Sequence, residues 1–335
     1  MANRFIEQKL KSLLGSDDLV GLYIERYGEL INLSYVEQLK EQLKKQHLTA
    51  ISKKNPEKKL GDDPVFEINV CCPACYKKNV VSYNLRAKSQ VITENLFLVP
   101  QYSEFGEYFT ENFNLLQTTV CPECLFASPD PRDWTKVNSI TDAETPSQLI
   151  AHGKLMQEIR NQELTRKNAF PGAKADVNYF TRPRSFEKAI EATKLSIMRA
   201  ELEMKFLLSS VYYKIGSYNL KIADMEKKNM KDYRESLITA EKYFTDAVEK
   251  SDCQSVHSEM ESIYQVVAIS LFFQNRDKAA AYMKITKDAL REKEIAVREN
   301  PIPENKRLLG DVGKWEKRIG VLWEYRDDKA YWENI

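Results

Sequence analysis

An α+β fold, predominantly α, in which a small zinc-ribbon-like β lobe joins an antiparallel helical-pair (TPR-like) module, follows from three features of the sequence. Short runs rich in β-branched and aromatic residues are confined to one stretch, from Pro64 to about Asp130. Two pairs of the form C-P-x-C, Cys72-Pro73-Ala74-Cys75 and Cys121-Pro122-Glu123-Cys124, each close such a run. From Ser185 onward the apolar residues recur every three or four positions, the period of a helix face.

The totals set the frame. At 335 residues the chain exceeds what one hydrophobic core organises, so at least two modules are expected. Charged residues at 30% beside 43% apolar suit amphipathic helices with long solvated faces. A net charge of +1 leaves no overall field to attract nucleic acid or an anionic membrane. Glu7, Lys9 and Lys11 interrupt the apolar residues of the N-terminus as no secretory signal would allow. No run of about 18 apolar residues occurs, so no bilayer span is expected and the chain is read as cytoplasmic. Six cysteines, four of them in C-x-x-C pairs, fit a reducing compartment with a metal site.

In chain order, residues 1–60 form an N-terminal helical region and a charged linker. Leu19, Leu22, Tyr23, Tyr27, Leu30 and Ile31 lie at helical spacing, and Ser34-Tyr35-Val36-Glu37 has the form of a capping box. The linker, LTAISKKNPEKKLGDD, carries charge, Pro56 and Gly61 but no apolar period. Residues 61–135 form the zinc-ribbon-like β domain, with strands expected at 65–70, 79–85, 92–99 and 115–120. Residues 136–184 supply a connecting helix, from about Pro146 to Lys167, and an irregular loop. Residues 185–335 form the helical module. Its first helix carries Ile197, Ala200, Met204, Leu207, Val211 and Ile215 and is expected to stop at Gly216. A second runs from Leu220 through Phe244 to Ala247, and three more are marked by 263–273, 279–297 and Leu308 to Leu322, five in all.

The cysteine spacing carries the chemistry. Two cysteines across a tight turn present both sulfurs to one ion, and two such turns supply the four thiolates of a tetrahedral site. Cys72, Cys75, Cys121 and Cys124 are therefore the predicted ligands of one structural metal. Zinc is favoured over iron, since both accept four sulfurs but no redox partner motif accompanies them. Four thiolates leave no open position for catalysis. Cys71 points to the other side of an extended strand and is not assigned as a ligand. The 45 residues between the pairs exceed a minimal ribbon and must fold as further strands or a lobe.

These residues resemble a family, the bacterial domain of unknown function numbered 2225, in which a split C-P-x-C ribbon precedes tetratricopeptide-like helices. The similarity spans roughly residues 66–250. CPAC, VCPECLFAS, LLSSVYYKIGSYN and YRESLITAEKYFTDAVEK carry it. It implies zinc binding by Cys72, Cys75, Cys121 and Cys124 and implies no catalytic activity. Where the family favours glycine after each second cysteine, this chain has Tyr76 and Leu125, so the knuckles are either strained or differently shaped.

Within the helical module, Ala240, Phe244 and Ala247 match the A-x3-F-x2-A spacing of a tetratricopeptide second helix, and Ala268, Leu271, Asn275 and Ala280 approach a second unit. A stack of helical pairs offers a concave face to a partner segment, so an unidentified protein partner is expected. Self-association through the Trp315, Trp323 and Trp332 region is left open.

Enzyme chemistry finds little support. Three histidines, His47, His152 and His257, fall in three regions, and no phosphate loop, dinucleotide motif or nucleophile elbow occurs. Cys253 and His257 form the one leftover ligand-like pair and read as ordinary helix residues. Between Pro64 and Asp130 four basic residues face seven acidic ones, and a zinc with four thiolates adds about two negative charges, so the lobe should repel phosphate. The expectation is a non-enzymatic cytoplasmic adaptor or scaffold. The alternative is a zinc-ribbon nucleic-acid-binding regulator acting through Lys53, Lys54, Lys58 and Lys59.

Overall fold

In VFEINV a period of two puts Phe66, Ile68 and Val70 toward one side and leaves Glu67 and Asn69 exposed, and the segment forms strand β1 (Val65–Val70). The computed structural model describes residues 62–135, 146–206 and 210–333, all within one compact unit, Asp62–Ile335. The helices expected near the N-terminus, the expected Ser34 capping box and most of the charged linker fall outside the described residues. β1 pairs antiparallel with β2 (Val80–Leu85), with Val65 opposite Leu85 and Val70 opposite Val80.

Two further antiparallel pairs follow. β3 (Gln90–Glu94) pairs with β4 (Pro100–Glu104), and β5 (Thr119–Val120) with β6 (Ala127–Ser128). The strand expected over 92–99 ends at Glu94. There the Asn95 side chain accepts the backbone N–H groups of Phe97 and Val99, both at 3.0 Å, and turns the chain. That turn thrusts Phe97 and Val99, each 4% exposed, into the core of the helices. The strand expected over 115–120 shortens to β5 because Phe113–Leu115 closes as a 3-10 turn. A bond of 2.7 Å between the hydroxyls of Ser82 and Thr119 ties β2 to β5.

After β6 come the short helix α1 (Arg132–Thr135), α2 (Pro146–Asn161), α3 (Glu163–Ala169) and α4 (Pro171–Ala175). The connecting helix thus breaks at Gln162. Six long helices follow where five were expected: α5 (Phe186–Lys205), α6 (Val211–Lys228), α7 (Arg234–Glu249), α8 (Val256–Phe272), α9 (Arg276–Glu299) and α10 (Pro303–Glu324), with α11 (Lys329–Glu333) behind them. Each long helix packs on the next, and α8 also on α10. Short connections make neighbours antiparallel. Asp252, just after α7, accepts the N–H groups of Ser210 on its carbonyl at 2.8 Å and of Tyr212 on Oδ2 at 2.7 Å, which brings the end of α7 to the start of α6.

The predicted helix ends are displaced for a definable reason. α6, α7 and α8 each stop in a left-handed residue, Met230, Ser251 and Gln274, with φ of 54°, 53° and 61°. In each, the next N–H reaches back five residues: Lys231 to Glu226, Asp252 to Ala247, Asn275 to Ser270. This is the Schellman closure, whose usual sequence mark is glycine. Gly216, expected to end a helix, lies inside α6 and faces Phe244 of α7. The apolar stripe from Ile197 to Ile215 is nonetheless real, since Ala200, Val211 and Ile215 share one cluster across the break.

α8 is the centre of the fold, with 262–271 buried throughout. Its Gln265 donates to the Phe97 carbonyl at 2.8 Å and its Tyr264 hydroxyl to that of Leu96 at 3.0 Å, so the β3–β4 turn is bolted onto it. Trp315 is 5% exposed and packs against Tyr264, while Trp323 and Trp332 lie on the same cluster, so the tryptophans serve the chain's own core.

Candidate metal centre

Each C-P-x-C pair occupies the turn of an antiparallel hairpin, Cys72 and Cys75 between β1 and β2, Cys121 and Cys124 between β5 and β6. The two turns have the same backbone. The N–H of Cys72 donates to the Lys77 carbonyl at 2.9 Å, and that of Tyr76 to the Cys72 carbonyl at 2.9 Å; the N–H of Cys121 donates to Phe126 at 2.8 Å, and that of Leu125 to Cys121 at 3.0 Å. The residue after each second cysteine is left-handed, Tyr76 at φ 62° and Leu125 at φ 56°. The knuckle shape expected of glycine is therefore kept, with strain, by Tyr and Leu.

The four sulfurs lie within 4.8 Å of one another, with Cys72 to Cys124 at 3.6 Å and Cys75 to Cys121 at 3.5 Å. A tetrahedron with metal–sulfur bonds of 2.3 Å has edges of about 3.8 Å, so the cluster fits one ion with little movement. It is the one group of three or more candidate ligands found among the described residues. Cys72, Cys121 and Cys124 are fully buried and Cys75 partly so. Half-buried Cys71 stands outside, its sulfur 3.9 Å from the Cys72 carbonyl.

Without metal the cluster shares protons. Cys121, accepting from the thiols of Cys124 and Cys72, is held far below the ordinary thiol range, and those two donors are pushed above it. Burial raises Cys75 as well. A divalent ion replaces those shared protons, so binding releases acid and weakens as pH falls.

Around the sulfurs lies an apolar shell of Phe126, Trp134, Leu155, Ile159 and Leu202, with Phe126 and Trp134 edge to face at 5.0 Å. Polar contacts reach the knuckles from outside the β segment. Arg160 of α2 donates to the Ala74 carbonyl at 3.1 Å, and Arg166 of α3 donates to the Cys124 carbonyl from Nε at 3.0 Å and Nη2 at 2.8 Å. Lys77 and Glu123 join one knuckle to the other at 2.7 Å. Behind β6, Asp133 pairs with Arg199 of α5 at 2.6 Å, and Arg199 with Glu203 at 2.6 Å. None of these partners is marked in the sequence: the helices that carry them read only as connectors or as part of a stripe.

The other leftover pair is not brought together. The Cys253 sulfur faces the Ser262 hydroxyl at 3.6 Å and the Ala247 carbonyl at 3.8 Å, whereas His257 is exposed and lies 3.6 Å from Glu261. His47 and the His152 side chain lie outside the described residues.

No helix of the described residues is long and apolar enough to cross a membrane. No curated protein and no solved structure matches the chain. A family model for an uncharacterized protein conserved in bacteria matches residues 65–300, a span that holds both knuckles, the arginines on them and the helices as far as α9. With paired C-P-x-C hairpins fitting a zinc-ribbon-like site, and that match over most of its length, the chain belongs to the bacterial family DUF2225.

Proposed function

We propose that the chain is a non-enzymatic cytoplasmic adaptor whose cysteine centre holds one structural zinc and whose helices bind another protein. The closed tetrad carries this reading. Four buried or half-buried sulfurs leave no position for substrate or water, so an ion there holds two hairpins together and does no chemistry. The energy of binding becomes folding energy for a lobe whose three sheets have only two strands each. The arginines that reach the knuckles are engaged with carbonyl oxygens and Lys77 with Glu123, which speaks against a phosphate-binding face.

Two measurements test the proposal together. The purified protein should give no mobility shift with DNA or RNA at low or moderate salt, and from native bacterial extract the full chain should elute in a stoichiometric complex with a defined protein. Tight, salt-sensitive retention of nucleic acid without a protein partner overturns it.

A further inference from the structure

Arg166 is 4% exposed, and its neighbourhood does not supply the usual reason for burying a guanidinium. Glu163, one turn earlier on α3, pairs instead with Lys167 at 2.6 Å. Both donated hydrogen bonds of Arg166 go to one neutral acceptor, the carbonyl of Cys124. A buried cation held only by a carbonyl is costly unless negative charge stands close by. The charge that can stand close by is that of the sulfur cluster: the carbonyl that Arg166 holds belongs to Cys124, whose sulfur lies within 4.8 Å of the other three. A divalent ion bound by four thiolates keeps a net charge of about −2, which a buried site must offset.

We propose that Arg166 is the charge partner of the cysteine centre, so that a divalent metal and the seating of α3 over the second knuckle stabilise each other. The inference rests on the metal-site reading above and assigns to it a residue outside the ligand set. With metal bound, all four sulfurs are thiolates and the ion pair across the Cys124 knuckle is complete. Arg160, exposed and on the other knuckle, makes the matched contact to Ala74 without the burial and serves as an internal control.

The test uses the full-length protein, loaded with zinc and competed against a chromophoric chelator of known affinity. Arg166→Met should bind zinc roughly 10- to 100-fold more weakly than wild type, the range of losses for groups that support metal ligands, while Arg160→Met stays within about threefold. When both are metal-free, Arg166→Met should unfold at a temperature no lower than wild type, which a merely structural arginine would not allow. Equal zinc affinity in Arg166→Met and wild type overturns the inference. If Arg166→Met does not fold, Arg166→Lys decides: it keeps the charge and should bind within about tenfold of wild type, and a loss beyond about 100-fold overturns the charge role. Wild type that takes up no metal overturns the underlying site itself, an outcome separate from equal affinities in proteins that do.

Discussion

A Cβ placed on Gly216 of α6 would meet the Phe244 ring of α7 at 3.0 Å, tighter than nine in ten real contacts of this kind. Phe244 is fully buried and has nowhere to turn. Gly216→Ala would gain about 1 kcal/mol of helix propensity but overpack the seam by about 1–3 kcal/mol. The expected outcome in urea unfolding is a net loss of up to about 2 kcal/mol, restored in part by adding Phe244→Leu. A stabilised Gly216→Ala protein would show that the two helices are not held at this distance.

Left-handed residues that are not glycine invite the reverse change. Met230 is 97% exposed and Tyr76 59%, so neither recovers its backbone strain by packing. Met230→Gly and Tyr76→Gly should each raise stability by up to about 1 kcal/mol, and the two should add because the sites share no contacts. Leu125 occupies the same backbone position as Tyr76 but is 1% exposed among Val120, Phe170 and Leu195. Leu125→Gly should therefore destabilise by about 2 kcal/mol or more, since lost burial exceeds relieved strain. Denaturant midpoints of the three variants decide the matter by their signs.

Metal removal has a local reporter. Trp134 is 1% exposed in the cluster that surrounds the cysteines, whereas Trp315, Trp323 and Trp332 belong to the core of α8 and α10. Chelation should shift tryptophan emission to the red, and Trp134→Phe should abolish most of that shift. Cys121→Ser should show the shifted emission without chelator. A response that survives in Trp134→Phe would mean that the helical core, not the β lobe, depends on the ion.

Lys221 gives a pH signature. Burial pushes its ammonium from the ordinary 10.5 down to about 8, with the Gln117 side chain accepting from Nζ at 2.7 Å. Between those two values the unfolded chain binds more protons than the folded one, so this group's contribution to stability rises with pH across that window and is flat below it. Lys221→Met should be more stable than wild type at pH 7, with the gap closing toward pH 10. A gap independent of pH would show that the lysine is not desolvated.

The ligand set is legible in the sequence because sulfur spacing over four residues is a local property. Cys72 and Cys75, like Cys121 and Cys124, need only a tight turn to converge, and the strand textures on either side mark the hairpins. β1 is legible for the same reason: Glu67 and Asn69 alternate with apolar neighbours. The helix ends are not, because the residues that close α6, α7 and α8 are Met230, Ser251 and Gln274, and nothing about those residue types announces a left-handed stop. Nor is the start of α6, whose cap is the carboxylate of Asp252, 40 residues along the chain from the Tyr212 it binds. Charge counted over the β segment misses Arg160, Arg166 and Arg199, which arrive on helices from later in the chain and change the surroundings of the sulfurs. Contacts of this kind have no periodicity and no motif; they exist only once the chain is folded.

The most direct test of the central claim is metal analysis of the purified protein combined with X-ray absorption at the metal edge. One zinc per chain, with four sulfur neighbours at about 2.3 Å and no lighter ligand, is the predicted result. A nitrogen or oxygen in the first coordination sphere, two ions per chain, or a chain that folds to the same structure with none would contradict it.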